Sequence, residues 1–285
     1  MERLKMSKDV LRPLIVGILA GTLGIIAGAL GIIYLDHLAL SQYLKQSLPA
    51  QNDVGQIDWL REDFYDMPCQ WCYLKVDENG WSAVYIKNLL HLKELINTAE
   101  REIVIPVFPT VYVPRNDDEL YCNTILESNI KIGDKVLVVG AGSGSDAWVA
   151  SMKSQSLVYV IEINPMAIAN MKTTARLANF QVKPILGDIR DVNLPDDFTD
   201  FDFVLWNMPF LHPHEKGKKL AERNFHDGDE GSILTAFLKR LPSLLKKDGQ
   251  AIVLNTVESL DYFDYPDLTT KGDGDVMIYI FSNPD

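Results

Sequence analysis

Cysteine is scarce in this chain: Cys69, Cys72 and Cys122 are the only three among 285 residues. Three thiols cannot build a disulfide framework. Cys69 and Cys72 form a Cys-x-x-Cys pair, which suits redox chemistry or half a zinc site, but no second ligand pair follows. A structural, buried role is the favoured reading, and no metal is expected. Positive charge is also in short supply, with 27 Lys and Arg against 39 Asp and Glu and a formal net charge of -12. A grip on a nucleic-acid backbone needs clustered basic residues, so this balance argues against nucleic acid as a partner. The one basic cluster, Lys216, Lys218 and Lys219 beside His212 and His214, reads as a solvated loop. Internal repeats and low-complexity tracts are absent. No Walker lysine follows the glycine-rich turn at 140–144, which argues against phosphate-cradling nucleotide hydrolysis.

One stretch lacks charge altogether. Residues 14–35, LIVGILAGTLGIIAGALGIIYL, are long enough to cross a hydrocarbon core as a helix. Gly17, Gly21, Gly24, Gly28 and Gly31 fall on one face of that helix, where a second copy could approach closely; the stripe also fits ordinary membrane-helix composition. No clear small-x-small site precedes Asp36, which favours a retained single-pass anchor over a cleaved signal peptide. The expected organisation is a tail and anchor over 1–35, a stalk over 36–57, a small α+β segment over 58–110 and an α/β domain over 111–285. The lipid bilayer is thus an expected partner, with homo-oligomerisation through the glycine face as a further expectation.

Within 58–110, WCYLKV and WSAVYIK flank Glu78-Asn79-Gly80, a hairpin signal, and a helix is expected around LLHLKELINTAERE. Trp59, Trp71 and Trp81 are expected to pack this layer onto the main domain. Further on, short Val- and Ile-rich runs alternate with helical patterns: LYCNTILESN, KVLVVG, DAWVASMKS, VYVIEI, PMAIANMKTTARLANF, VKPILGD, DFVLWNMPF, ILTAFLKRLPSLL, QAIVLNT and VMIYIFS. That alternation predicts an α/β, Rossmann-like fold with a mainly parallel sheet and helices on both faces. After the strand at 251–255 only 277–281 reads clearly as a strand; either the sheet is one short or an irregular strand lies around Tyr262–Tyr265.

VLVVGAGSGSD, residues 136–146, runs four apolar residues into a glycine turn. Gly140 can end the strand, Gly142 can admit a ligand to the backbone, and Gly144 can let the next helix start close to the sheet. The amides at that helix start favour a polar or anionic group. The turn alone fits a nicotinamide, a flavin or S-adenosylmethionine, and also a mere tight turn. Glu162 ends the next strand, where a carboxylate can accept both hydroxyls of a ribose; a helix-capping role is the alternative. Asp188, after the third apolar run, could accept a hydrogen bond from an adenine amino group.

These residues together resemble the class I S-adenosylmethionine-dependent methyltransferases. In that resemblance Gly140, Ala141, Gly142 and Gly144 form the cofactor motif, Glu162 is the ribose acid and Asp188 the adenine contact. Asn207-Met208-Pro209-Phe210 resembles the Asn-Pro-Pro-Tyr/Phe motif of methyltransferases that modify amide or amino nitrogens, among them protein glutamine methyltransferases. Residues 113–119 resemble the segment that helps close the cofactor pocket there, and 227–231 the glycine-rich loop before the next helix. The likeness covers roughly residues 107–256. It implies S-adenosylmethionine as cofactor, with Asn207, Pro209 and Phe210 as catalytic residues and Asn207 also beside the cofactor. Met208, His212 and Arg115 are then expected on the substrate side.

The chemistry fits those residue types. Methyl transfer is an in-line displacement, so positioning of the nitrogen lone pair contributes much of the rate. An Asn oxygen and a carbonyl beside Pro209 can accept the two hydrogens of a planar amide and favour charge developing on its nitrogen. Phe210 can stack on the planar group. Met208 departs from the family by replacing the first proline, which leaves that backbone less pre-organised. The reading taken is a membrane-anchored methyltransferase with a protein or small-molecule acceptor. The alternatives are a non-catalytic scaffold that keeps the fold, or a nicotinamide-dependent oxidoreductase, for which no Tyr–Lys pair stands out. Arg3, Lys5, Lys8 and Arg12 before the apolar run place the large domain across the membrane from the cytoplasm. The cytosolic supply of the cofactor argues for the cytoplasmic side, which is the side favoured.

Overall fold

The computed structural model describes residues 70–86, 101–108, 110–114, 116–209, 231–272 and 274–283. These belong to one compact unit within Val54–Asp285. The expected anchor at 14–35 lies outside them; among the described residues no helix is long and apolar enough to cross a membrane.

Three strands form a small antiparallel sheet in the order β2-β1-β3: β1 (Gln70–Asp77), β2 (Gly80–Tyr85) and β3 (Arg101–Val107). Asp77 pairs with Gly80 across the hairpin turn, and Gly80 takes a φ of +99°, a conformation suited to glycine. The helix expected around 89–102 needs correction at its end. Arg101 and Glu102 open β3, whose Ile-Val-Ile run pairs with β1 from Val76 to Gln70. The β-branched residues of that run suit a strand better than a helix end. Trp81 is buried as expected, whereas Trp71 stays exposed; Trp59 lies outside the described residues.

The larger sheet has seven strands in the order β6-β5-β4-β7-β8-β10-β9. They are β4 (Val136–Val139), β5 (Val158–Glu162), β6 (Val182–Leu186), β7 (Phe201–Asn207), β8 (Leu245–Thr256), β9 (Thr269–Lys271) and β10 (Val276–Ser282). The first five are mutually parallel, and β10 enters antiparallel between β8 and β9. The last strand in doubt is therefore present, but at Thr269–Lys271. Val257–Tyr262 is a 3-10 helix instead. A three-residue edge strand with two threonines and a lysine carries too little apolar pattern to be read from sequence.

Among the described residues four α-helices accompany the sheets: α1 (Asn116–Glu127), α2 (Ser145–Ser154), α3 (Pro165–Leu177) and α4 (Ser232–Leu244). On one face of the sheet Leu137, Val139, Val204, Trp206, Ala251 and Val253 pack with Leu234, Phe237, Leu241 and Leu244 of α4. Strand alternation turns the buried Val136, Val138, Leu205, Ile252 and Leu254 to the opposite face. There α1 packs on α2 and α2 on α3, and Tyr121 of α1 donates to the Ile252 carbonyl at 3.2 Å. α1 and α3 also carry the small sheet, which meets them through β2 and β3 respectively.

Candidate functional site

The strand order reverses at β4: the chain steps outward through β5 and β6, then returns to β7 on the other side. Such a switch point opens a crevice beyond the carboxyl ends of the parallel strands. Gly140–Gly144 leave the tip of β4, Glu162 ends β5, Asp188 follows β6 by two residues, and Asn207 ends β7. The structure thus brings the four sequence motifs to one edge of the sheet.

The three glycines have separate tasks. A side chain on Gly140 would meet the Trp206 indole nitrogen at 3.0 Å, and one on Gly144 would meet the Met171 backbone of α3 at 3.2 Å. Both close approaches, with φ of +66° and +88°, pack the turn against its neighbours. Gly142 is different, because a Cβ there would find nothing nearer than Tyr112 Cβ at 3.9 Å. The space over Gly142 is where a ligand can reach the backbone.

Asparagines hold the turn in place. Asn170 of α3, fully buried, donates to the Ser143 carbonyl at 3.1 Å and to the Pro106 carbonyl at 2.9 Å, and accepts from Phe108 N–H at 2.7 Å. Thr174 adds a second donor to Ser143 at 2.7 Å. Asn164 caps α3 by accepting from Met166 N–H at 2.9 Å, with Pro165 opening the helix, while its Nδ2 donates to the Thr110 carbonyl at 3.0 Å. The strand end at 106–108 is thereby stapled onto the glycine turn, and Thr110 onto α3.

Glu162 is buried, and its two oxygens accept from the backbone N–H groups of Gly142 at 3.1 Å and Asn164 at 2.8 Å. Burial pushes its carboxyl above the ordinary range even though these amides pull it down. Each oxygen keeps a further lone pair that can accept from a ribose hydroxyl. Asp188 is gripped by Arg190 through Nε and through Nη2 at 2.6 Å. Burial disfavours its charge, but the side chain and amide of Arg190 outweigh that and hold the carboxyl below the ordinary range. Ile163, half exposed beside Glu162, offers an apolar face.

Sequence reasoning missed Asp146. It lies buried in the first turn of α2, and its carboxyl is pushed up to about 8, mainly by burial, with the charges of Asp118 and Glu162 adding. The Glu162 oxygens and the open backbone at Gly142 set hydrogen-bond acceptors beside free space, which suits the ribose hydroxyls of a nucleoside-bearing ligand. The residues present therefore fit S-adenosylmethionine.

At the tip of β7, Asn207 Nδ2 donates to Asp118 Oδ1 of α1 at 2.8 Å. Asp118 lies in the segment 113–119, yet the two residues stand 89 apart in sequence, and no spacing rule could pair them. Met208 corrects the expectation of a substrate-side side chain. It is 2% exposed and packs in the core cluster with Trp206, Leu234 and Phe237. Its N–H donates to the Leu254 carbonyl at 3.3 Å, a ladder bond that a proline could not make. The substitution thus exchanges ring rigidity for strand pairing. Pro209 is half-buried beyond it; Phe210, His212 and Arg115 lie outside the described residues.

Two of the three cysteines lie among the described residues. Cys72 and Cys122 are buried and free; burial, reinforced by the charge of Asp118, pushes the Cys72 thiol up to about 12 and the Cys122 thiol well above its usual range. Among the described residues no group of three His, Cys, Asp or Glu could hold a metal, and Cys69 lies outside them.

Comparison with known proteins gives the same picture. The family model named methyltransferase small domain matches residues 119–263. The putative protein N5-glutamine methyltransferase of Methanocaldococcus jannaschii is 30% identical over 157 residues, covering 54% of this chain and 76% of that one. Methyltransferase HEMK2 of Mus musculus is 28% identical over 172 residues, covering 58% and 80%. The 16S rRNA N2 methyltransferase RsmC of T. thermophilus, solved with AdoMet and guanosine, shares the fold with a TM-score of 0.51 at 14% identity, over 65% of this chain and 48% of that one.

Proposed function

The chain belongs to the methyltransferase small domain family and is an S-adenosylmethionine-dependent methyltransferase, and from that premise we propose that its acceptor is the side-chain amide nitrogen of a protein glutamine. One observation carries the reading. The amide nitrogen of Asn207 is committed to Asp118, while its oxygen takes no hydrogen bond among the described residues and stands at the sheet edge beside the glycine turn. An acceptor-only group there suits an NH2 substrate. The name of the M. jannaschii relative points the same way, and the net charge of -12 favours a protein over a nucleic-acid acceptor.

S-adenosylmethionine supplies a methyl carbon made electrophilic by its sulfonium. The chain's residues bind and orient. When the cofactor is bound, Glu162 would hold the ribose through the lone pairs left by its two backbone donors, Asp188 would receive the adenine amino group, and the open backbone at Gly142 would admit the cofactor to the turn. Asn207 Oδ1 would accept one hydrogen of the glutamine amide and the carbonyl beside Pro209 the other. These acceptors gain strength as the nitrogen becomes positive, which is where catalysis needs them. The extra proton then passes to water, and no strong base is required.

The test is transfer from tritium-labelled S-adenosylmethionine to glutamine-containing peptides, followed by detection of N5-methylglutamine. Label that appears only on other residues, or on RNA, would replace the glutamine reading. The uncharged run at 14–35 supports a tether that holds this domain at a membrane, on the cytoplasmic side where the cofactor is made. Protection of the domain from protease outside sealed cytoplasm-in vesicles is the expected result, and digestion would place it on the other side.

A further inference from the structure

We propose that Asp118 is a positioning residue for methyl transfer, one that sets which end of the Asn207 amide faces the acceptor. The inference rests on the glutamine reading only for the identity of the acceptor. An asparagine amide has a donor end and an acceptor end of nearly the same size, and a half turn exchanges them. Presented nitrogen-first, Asn207 would point two N–H groups at an acceptor that also carries N–H groups, and the site would repel what it has to hold. A carboxylate has no proton to give, so it faces only the nitrogen end. Asp118, 4% exposed and 2.8 Å from Asn207 Nδ2, therefore locks Oδ1 outward.

The lock is itself held. Asp118 sits in the first turn of α1, and the same helix is fastened further along. Asn123 accepts from Trp81 N–H at 2.7 Å, and Tyr121 donates to the Ile252 carbonyl of β8, the strand next to β7. The small sheet thus steadies the helix that aims the catalytic amide. The contact also has an electrical consequence. A negative charge behind the NH2 end polarises the amide and makes Oδ1 a stronger acceptor just as positive charge grows on the substrate nitrogen.

Two measurements on the full chain test this. The first is the side-chain amide NMR signal of Asn207, assigned by its loss in Asn207→Ala. In the wild type one Nδ2 proton is expected downfield and slow to exchange; in Asp118→Ala that signature is expected to vanish. The second is methyl transfer to a peptide bearing a single glutamine. Asp118→Ala is expected to lower kcat about ten- to a hundredfold, as loss of a hydrogen bond to a charged group would. S-adenosylmethionine affinity is expected to change by less than about threefold, since the cofactor contacts lie at other strand tips. Asp118→Asn keeps the volume and one acceptor but not the charge, so it is expected to recover part of kcat, and it serves in place of Asp118→Ala should that variant unfold.

Identical Asn207 amide signals in wild type and variant would overturn the proposal. So would a kcat unchanged in both variants, or a loss confined to cofactor affinity. If the wild type methylates no glutamine peptide, the acceptor reading fails by itself, and the NMR comparison still decides the role of Asp118.

Discussion

On the cofactor side of the crevice, at the tips of β4, β5 and β6, the polar groups are held by backbone amides and by neighbours close in sequence. Glu162 is fastened by Gly142 and Asn164, and Asp188 by Arg190. On the proposed acceptor side, at the tip of β7, the partner of the Asn207 side chain among the described residues is Asp118, on a helix 89 residues earlier. The first half binds a ligand of fixed shape and can be built into the sheet and its turns. The second half must aim one small dipole, and it borrows its support from an added layer, the small sheet and α1. In the proposed function, binding and aiming fall to different parts of the chain.

Three substitutions sharpen that division. Among effects that do not depend on pH, the largest on the fold is expected from Asn170→Ala, which removes three hydrogen bonds, two of them buried, that staple 106–108 to the glycine turn. Buried groups left unpaired make the expected loss about 2–4 kcal/mol in denaturant unfolding. A loss below about 0.5 kcal/mol would show that the staple adds little to the cofactor half.

Asp146 gives an effect graded by pH. Its carboxyl is raised to about 8 in the folded protein, from an ordinary 3.8. Below the ordinary value both states hold the proton and the contribution to stability is full. As pH climbs toward 8 only the unfolded state ionises, so stability falls by about 1.4 kcal/mol per pH unit from this group and levels off above. Asp146→Asn is expected to flatten the stability profile between pH 4 and 8. An equally steep profile in the variant would assign the slope to other groups. The smallest effect on the fold is expected from Asp118→Asn, whose consequence should be confined to turnover.

Much of the cofactor half was legible because its information is local. A glycine turn after a Val run, an acid at the end of the next strand and an Asn-Pro helix start each fall within a few residues. Even there the glycines had to be seen in place: Gly140 and Gly144 are small to admit Trp206 and α3, and only Gly142 is open toward a ligand. The acceptor half was legible in its motif and not in its support. Met208 looked like a weakened proline position, whereas its N–H pairs with Leu254. Asp118 stood unremarked in a segment of three consecutive acids, because what it touches is decided by how α1 lies across the sheet. The strand at Thr269–Lys271 escaped for a related reason, since an edge strand is defined by its pairing partner more than by its own residues.

The most direct test of the account measures two quantities, S-adenosylmethionine affinity by calorimetry and methyl transfer to a glutamine peptide, in Glu162→Ala and Asn207→Ala side by side. The account predicts a crossed result. Glu162→Ala should weaken cofactor binding at least about tenfold, while Asn207→Ala should bind as the wild type does and transfer no methyl group. A Glu162→Ala protein with undiminished affinity, or an Asn207→Ala protein with normal turnover, would contradict it.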